Sequence, residues 1–452
     1  MAKSATLLSI ITDLKAIQRL APSDLTKGDD FGLPRLIPAG DCGAIQINKV
    51  IDDNISLLAR ELKSEQPKLA KNVRNEEWRS WLRSTIGPAL MQVDLSDQLD
   101  LSSDKVLLRL KQEIDALVAG LGPSECAFGT TFLDIPNLPP FTVGPVKFER
   151  REDWLNRKHA DGSITPTISN RITRMWSGAS LRPRKKAIDN MRERDIIDAI
   201  GNNRVVCSVS VDGLSGEAGR EIALSTARIS LAIISLLWEQ SSKALSGMNL
   251  HVDGGLRRER ILRFLPGRVT LQGSRLHGRP HGPSLSVREW GQLTAANSDF
   301  FRVASEILFY LISPEGAVSR PKLMNALMQS LLWFYEGCRE ENDLLGVVDF
   351  AASLDALGGG KKTKAIMQML KARLGAQESA SVYQGGPTLK SLVEAIYSDG
   401  RSRAIHGTSD KIGHDWARTR RHAESLARLA LYASLEWAGA NINVDDPELL
   451  KK

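Results

Sequence analysis

Ile396-Tyr397-Ser398-Asp399-Gly400-Arg401-Ser402-Arg403-Ala404-Ile405-His406-Gly407 is the stretch on which the reading of this chain turns. It sets an arginine and a histidine five positions apart in a strongly helical region. Arginine is a permanent planar cation that grips a phosphate through two parallel hydrogen bonds. Histidine is the side chain whose unperturbed pKa lies closest to neutral, so it takes up or releases a proton there. A base that removes the proton of a ribose 2′-hydroxyl, and a cation that stabilises the phosphorane formed, are enough to cleave RNA without a metal. On an ideal α-helix a five-residue step rotates the second residue by roughly 140°, so one unbroken helix would not bring both groups to one spot. Gly400 and Gly407 bracket the pair and can distort or end a helix there.

The sequence on both sides of this stretch is helical. Thr388 is placed to cap a helix over Leu389 to Tyr397. Phe300 to Ile312 pairs with Leu323 to Cys338, and Leu344 to Leu357 with Thr363 to Leu374. Beyond the motif, Trp416, Ala423, Leu426, Ala430, Leu431, Ser434 and Trp437 form a stripe at helical spacing. Together these predict a helix bundle over residues 291–452.

The segment from Ile396 through His406-Gly407 resembles the signature of the HEPN ribonucleases, an arginine and a histidine separated by four to six residues. Leu344 to Leu357 resembles the first helices of the Apea-like branch. The resemblance covers the last third of the chain. Ser402 stands where the family usually has a polar residue, often Asn, Asp or His, and a hydroxyl can still bond a phosphate. The resemblance implies a metal-independent endoribonuclease with no cofactor, Arg401 on the scissile phosphate and His406 as general acid and base. Ser402 and Arg403 are lesser candidates for phosphate contact. It also implies a site completed by a second subunit, an RNA substrate, and a toxin or anti-phage abortive-infection role under a phage-derived or cellular trigger. HEPN bundles serve too as non-catalytic nucleotide- or protein-binding modules, the alternative reading. Asp349 and Asp355 lie on the helix expected to pack near the motif. An acid there would orient His406 and raise its pKa, or be an ordinary surface or capping carboxylate.

Residues 1–122 read as helical, with apolar steps in Ile45 to Leu62, Glu76 to Ile86 and Val106 to Leu121. The loop Lys27 to Gly43 separates the first helix from the rest. Trp78 and Trp81 read as packing residues on one helical face. Residues 123–290 change texture. Prolines punctuate short β-like runs such as Phe128 to Leu133, and Arg204 to Val211 alternates. A helix follows over Glu217 to Glu239, then strand-like runs at Met248 to Val252, Ile261 to Leu265 and Arg268 to Gln272. The fold class expected is therefore mainly α with a central α+β part and a C-terminal HEPN-type bundle. The middle part is a candidate sensor or regulator.

At 452 residues the chain has room for two or three such domains. Its net charge of +7 suits a polyanionic partner but is modest for this length. Arginine-rich clusters at 182–186, 257–263 and 418–421 add slightly to that, and the last either tracks an RNA backbone or is a solvated helix face. Cys42, Cys126, Cys207 and Cys338 are far apart, which fits buried thiols in a reducing, cytoplasmic setting rather than a disulfide framework or zinc site. No apolar run is long enough to span a bilayer; Ile229 to Trp238 reads as a core helix.

Three other patterns carry less. His277 and His281 flank a Gly/Pro loop without further metal ligands. Gly358-Gly359-Gly360-Lys361-Lys362-Thr363 lacks the residues of a phosphate loop at 355 and 362, and reads as a flexible connection. Gly213 to Gly219 reads as a turn opening a helix.

Overall fold

Apolar residues at three- and four-residue steps, broken by glycine and proline, give a chain that is mainly α with a central α+β part. The computed structural model describes residues 2–17, 20, 35–41, 43–66, 72–95, 98–254, 257–277, 281–313, 318–382, 385–408, 411 and 413–452. The chain divides into two units, Met1–Ser124 with Val211–Glu221, and Glu125–Ser210 with Ile222–Lys452.

The first unit is built from α1 (Ala2–Ile17), the hairpin β1 (Arg35–Pro38) and β2 (Ala44–Ile47), and helices α2 (Lys49–Ser64), α3 (Asn75–Met91) and α4 (Leu99–Ala119). Ile45 thus belongs to a strand, and the helix expected from it starts after Asn48, whose side chain accepts the Ile51 N–H at 2.9 Å. Of the loop expected over Lys27 to Gly43, residues 27–34 and 42 lie outside the described residues; Arg35–Pro38 is a strand. Leu7, Ile10, Ile51, Ile55, Leu58, Leu82 and Val106 share one apolar core. Trp78 is buried in it and donates its indole N–H to the Ala59 carbonyl at 2.7 Å, as a packing residue should.

In the second unit a four-stranded sheet has the order β3 (Ser124–Thr130), β6 (Val205–Val211), β5 (Val146–Arg150), β4 (Phe141–Val143). The pairs β4–β5 and β5–β6 are antiparallel. Helices α5 (Arg151–Ala160), α6 (Pro166–Trp176) and α7 (Ala187–Ile200) lie between β5 and β6 in sequence. The alternation in β6 does not mark a solvent face: Val206 and Ser208 are buried. Val206 packs with Trp154, Ile168 and Ile172 of α5 and α6. After β6 comes α8 (Gly216–Ser235), whose apolar core runs through Ile229 to Leu236, then α9 (Ser241–Leu245). The strand expected at Met248 to Val252 is a single bridge, Leu250 to Thr130, followed by a short 3₁₀ turn. β7 (Arg257–Leu265) and β8 (Arg268–His277) form a separate antiparallel hairpin.

The rest is helical: α10 (Val287–Ala296), α11 (Ser298–Ile312), α12 (Pro321–Arg339), α13 (Asp343–Leu357), α14 (Lys362–Leu374), α15 (Leu389–Val393), α16 (Arg403–Ile405) and α17 (Ala417–Ala440). Phe300, Phe334, Phe350, Leu426 and Leu431 fill the bundle core. Each such side chain contributes roughly 1.5–3 kcal/mol on burial. Polar ties bind the bundle to α9 and the loop that follows it. Glu424 of α17 accepts the N–H and hydroxyl of Ser242, both at 2.8 Å, and Arg339 donates to the Met248 carbonyl at 2.7 Å. Among the described residues no helix is long and apolar enough to cross a membrane.

Candidate active site

The motif sits where one helix type gives way to another. Thr388 caps α15 by accepting the Ser391 N–H at 3.2 Å. Beyond Val393 the helix widens: Glu394–Ser402 is a π-helix, and Arg403 donates its N–H to Ser398, five residues back. Such widened turns cost hydrogen-bond geometry and occur frequently at functional sites. Gly400 lies inside this segment. A Cβ there would meet Val347 Cγ1 of α13 at 2.5 Å, so glycine lets the π segment close on α13. The chain then returns to the tighter α16.

The end of α16 explains Gly407. Its φ of 67° is left-handed, its N–H bonds the Ala404 carbonyl at 3.3 Å, and the Thr408 N–H bonds the Arg403 carbonyl at 3.0 Å. This is the Schellman pattern that terminates helices at glycine. His406 is therefore the capping residue, and its side chain is exposed with no hydrogen bond among the described residues. The motif is thus not one unbroken helix: it begins in a π turn and ends at a glycine stop.

Arg401 has a different setting. Its Nη1 donates to the Tyr397 hydroxyl at 3.0 Å and lies 3.4 Å from Asp355 Oδ2. The guanidinium also stands over the Tyr397 ring, 5.2 Å from its centre. Asp355 Oδ2 accepts the Tyr397 hydroxyl at 3.5 Å, and Oδ1 accepts the Lys362 N–H at 3.2 Å. Burial, and then the Asp355 charge, raise the Tyr397 pKa, which keeps the phenol a neutral donor. Arg401 Nε is buried with no partner among the described residues. The cation is held in place while part of its donor set stays unused.

The other candidates divide. Ser402 is half-buried next to Arg401 in sequence, and its carbonyl accepts the His406 N–H at 3.1 Å. Arg403 is exposed and lies 3.7 Å from Asp399. Asp399 also pairs with Lys411 at 2.7 Å. Lys411 lines a neighbouring cavity of about 430 Å³ with Asn342, Asp343, His414 and Trp416. Asp349 is placed elsewhere: it lines a cavity of about 360 Å³ with Glu336, Arg339, Glu340 and Glu341. Burial first, then the Glu340 and Glu336 carboxylates, push its pKa up to about 6. Asp355, six residues further along α13, is the acid that reaches the motif, and it holds Arg401. Tyr397, a flanking residue of the signature with no role assigned to it there, is the partner of Arg401, and their spacing of four is the signal in the sequence for a paired side chain.

Arg420 is a bundle residue, bonded to Asp343 at 3.0 Å and to the Gly337 and Glu340 carbonyls. The glycines at 358–360 do follow a helix; Gly359 and Gly360 are left-handed. Of the His277 to His281 loop, residues 278–280 lie outside the described residues, and His281 lines a cavity of about 570 Å³ at the sheet end with Arg150, Arg151 and Arg204. Among the described residues no three His, Cys, Asp or Glu side chains gather as a metal site requires. Compared with protein-family models, with curated proteins and with solved structures, the chain finds no match.

Proposed function

We propose that the chain is a cytoplasmic, metal-independent endoribonuclease of the HEPN type, with its catalytic bundle at residues 291–452. The observation that carries the reading is the contrast at the motif: Arg401 is pinned by Tyr397 and Asp355 with donors to spare, and His406, five residues on, is exposed with no side-chain hydrogen bond among the described residues. His406 takes the proton of a ribose 2′-hydroxyl, the 2′-oxygen attacks phosphorus, and Arg401 stabilises the charge that builds on the phosphorane. The 5′-oxygen leaves with a proton, giving a 2′,3′-cyclic phosphate and a 5′-hydroxyl end. Two proton transfers on opposite sides of phosphorus suit two histidines. A homodimer that sets two 401–406 segments around one groove supplies them. Ser402 and Arg403 add phosphate contacts. In this role the chain is an abortive-infection toxin, and residues 1–290 sense the trigger or restrain the nuclease.

One observation favours a second reading, a non-catalytic HEPN-type binding module: the Asp355 carboxylate competes with a phosphate for Arg401. Expression in a bacterial host separates the two. Growth arrest by the wild-type chain, relieved by His406→Ala at equal expression, is the expected result; arrest that persists in His406→Ala contradicts catalysis. Mixing excess His406→Ala subunits into wild type is expected to depress activity beyond dilution, and a fully active monomer contradicts the shared site.

A further inference from the structure

Residues 257–277 carry Arg257, Arg258, Arg260, Arg263, Arg268 and Arg275 against one acid, Glu259. They form the β7–β8 hairpin, whose ladder runs from Arg257 opposite His277 to Leu265 opposite Arg268, with an irregularity between Ile261 and Leu262. Among the described residues the two strands pack chiefly on each other. An isolated two-stranded hairpin is marginally stable in water, so such an arm gains most from a partner that covers it.

Two side chains near its turn show what kind of partner. Phe264 is 71% exposed, the most exposed large apolar side chain among the described residues, and Leu262 is 57% exposed. On the opposite face, shared by Arg263 and by Arg268 across from Leu265, both arginines are exposed as well. An exposed phenylalanine on a hairpin whose sequence carries six arginines matches a ligand that is both polyanionic and flat-faced. A single-stranded nucleic acid is such a ligand: phosphates meet arginine, and each unstacked base offers a face to the ring. An acidic protein surface would satisfy the charge but offers no row of flat faces to an exposed ring.

We infer that the β7–β8 hairpin is an arm that captures single-stranded nucleic acid, with its arginines on backbone phosphates and Phe264 stacked on a base. This goes beyond the ribonuclease reading, because capture is measured in a chain unable to cleave and stands even if the chain is no nuclease. The test uses the full-length His406→Ala protein and a fluorescently labelled single-stranded RNA, with polarisation read over a salt series. Arg263→Glu with Arg268→Glu is expected to weaken binding at least ~10-fold and to flatten log K against log salt by about 1.4, at about 0.7 per lost phosphate contact. Phe264→Ala is expected to weaken binding at least ~5-fold with the slope unchanged. Arg263→Lys with Arg268→Lys should keep the slope, which separates lost charge from lost folding; unchanged melting curves complete that control. The same losses on DNA of the same sequence support the inference. Wild-type binding in both the charge-reversed and Phe264→Ala chains overturns it. So does a loss in the charge-reversed chain with none in Phe264→Ala, or binding confined to phosphatidylglycerol vesicles with no capture of RNA.

Discussion

Two arginines of the same bundle, Arg320 and Arg401, are used in opposite ways. Arg320 is fully buried and has every nitrogen engaged. Nη1 donates to the Ala438 and Asn441 carbonyls at 2.7 and 2.9 Å, and Nε and Nη2 donate to Glu306 at 3.0 and 2.8 Å. It ties the start of α12 to the end of α17 and has nothing left to offer a ligand. Arg401 is 28% exposed, shares Nη1 between Tyr397 and Asp355, and leaves Nε without a partner among the described residues. Arg339 and Arg373 also bury an unpaired Nε, so that feature alone marks no site. What sets Arg401 apart is a fixed position with donors in reserve, five residues before a histidine whose side chain has no hydrogen bond among the described residues. Burying polar groups unpaired costs stability, and the fold accepts that cost here and not at Arg320.

The largest expected effect separates these two residues. Arg320→Ala leaves Glu306 and two carbonyls without their partner and should cost about 3 kcal/mol. Arg401→Ala should cost only about 1–2 kcal/mol, because Asp355 keeps the Lys362 N–H and the Tyr397 hydroxyl, yet it should abolish RNA cleavage. Denaturant melts and cleavage rates on both variants check this; equal destabilisation would make Arg401 a structural residue like Arg320. Gly400→Ala comes next. Its Cβ would fall 2.5 Å from the buried Val347 Cγ1, an overpacking worth about 1–3 kcal/mol. The added methyl should also displace Arg401 from Asp355, so activity should fall further than stability.

A subtler change keeps the charge. Arg401→Lys loses the planar two-point grip, and cleavage should drop at least ~10-fold, about 1.4 kcal/mol of transition-state stabilisation. A wild-type rate would show that Arg401 is not the phosphate clamp. The smallest effect concerns Asp349, the acid that does not reach the motif. Its folded pKa is raised to about 6, above the unfolded value near 3.9. The folded state therefore holds more protons between these values, so this carboxyl favours folding at low pH and that contribution is lost as pH rises through about 6. Asp349→Asn should raise the melting temperature slightly at pH 7.5 and less at pH 4, with cleavage unchanged. A fall in cleavage would return Asp349 to the site.

Much of this was legible in the sequence because it is periodic. The stripe from Trp416 to Trp437, the buried run at Ile229 to Leu236 and the packing role of Trp78 all follow from apolar spacing. Gly400 and Gly407 were legible as disruptors, and each has a distinct job: close approach to Val347 at one, the left-handed stop at the other. Three things were not legible. No residue pattern announces a π turn, since it depends on how Glu394–Ser402 docks on α13. The choice of Asp355 over Asp349 depends on which side of α13 meets the motif, and a count of residues does not give it. Burial of both faces of β6 depends on how the helices between β5 and β6 fold back on the strand, which its own alternation does not give.

The most direct test of the Arg401–His406 site is the chemistry of the cut ends. RNA is incubated with the wild-type chain and with His406→Ala in excess chelator, and the products are resolved by mass spectrometry. The account predicts 2′,3′-cyclic phosphate and 5′-hydroxyl ends from the wild type and a loss of about 10²–10⁴-fold in His406→Ala. RNA left intact by a folded, dimeric wild-type chain, or equal cleavage by His406→Ala, would contradict it.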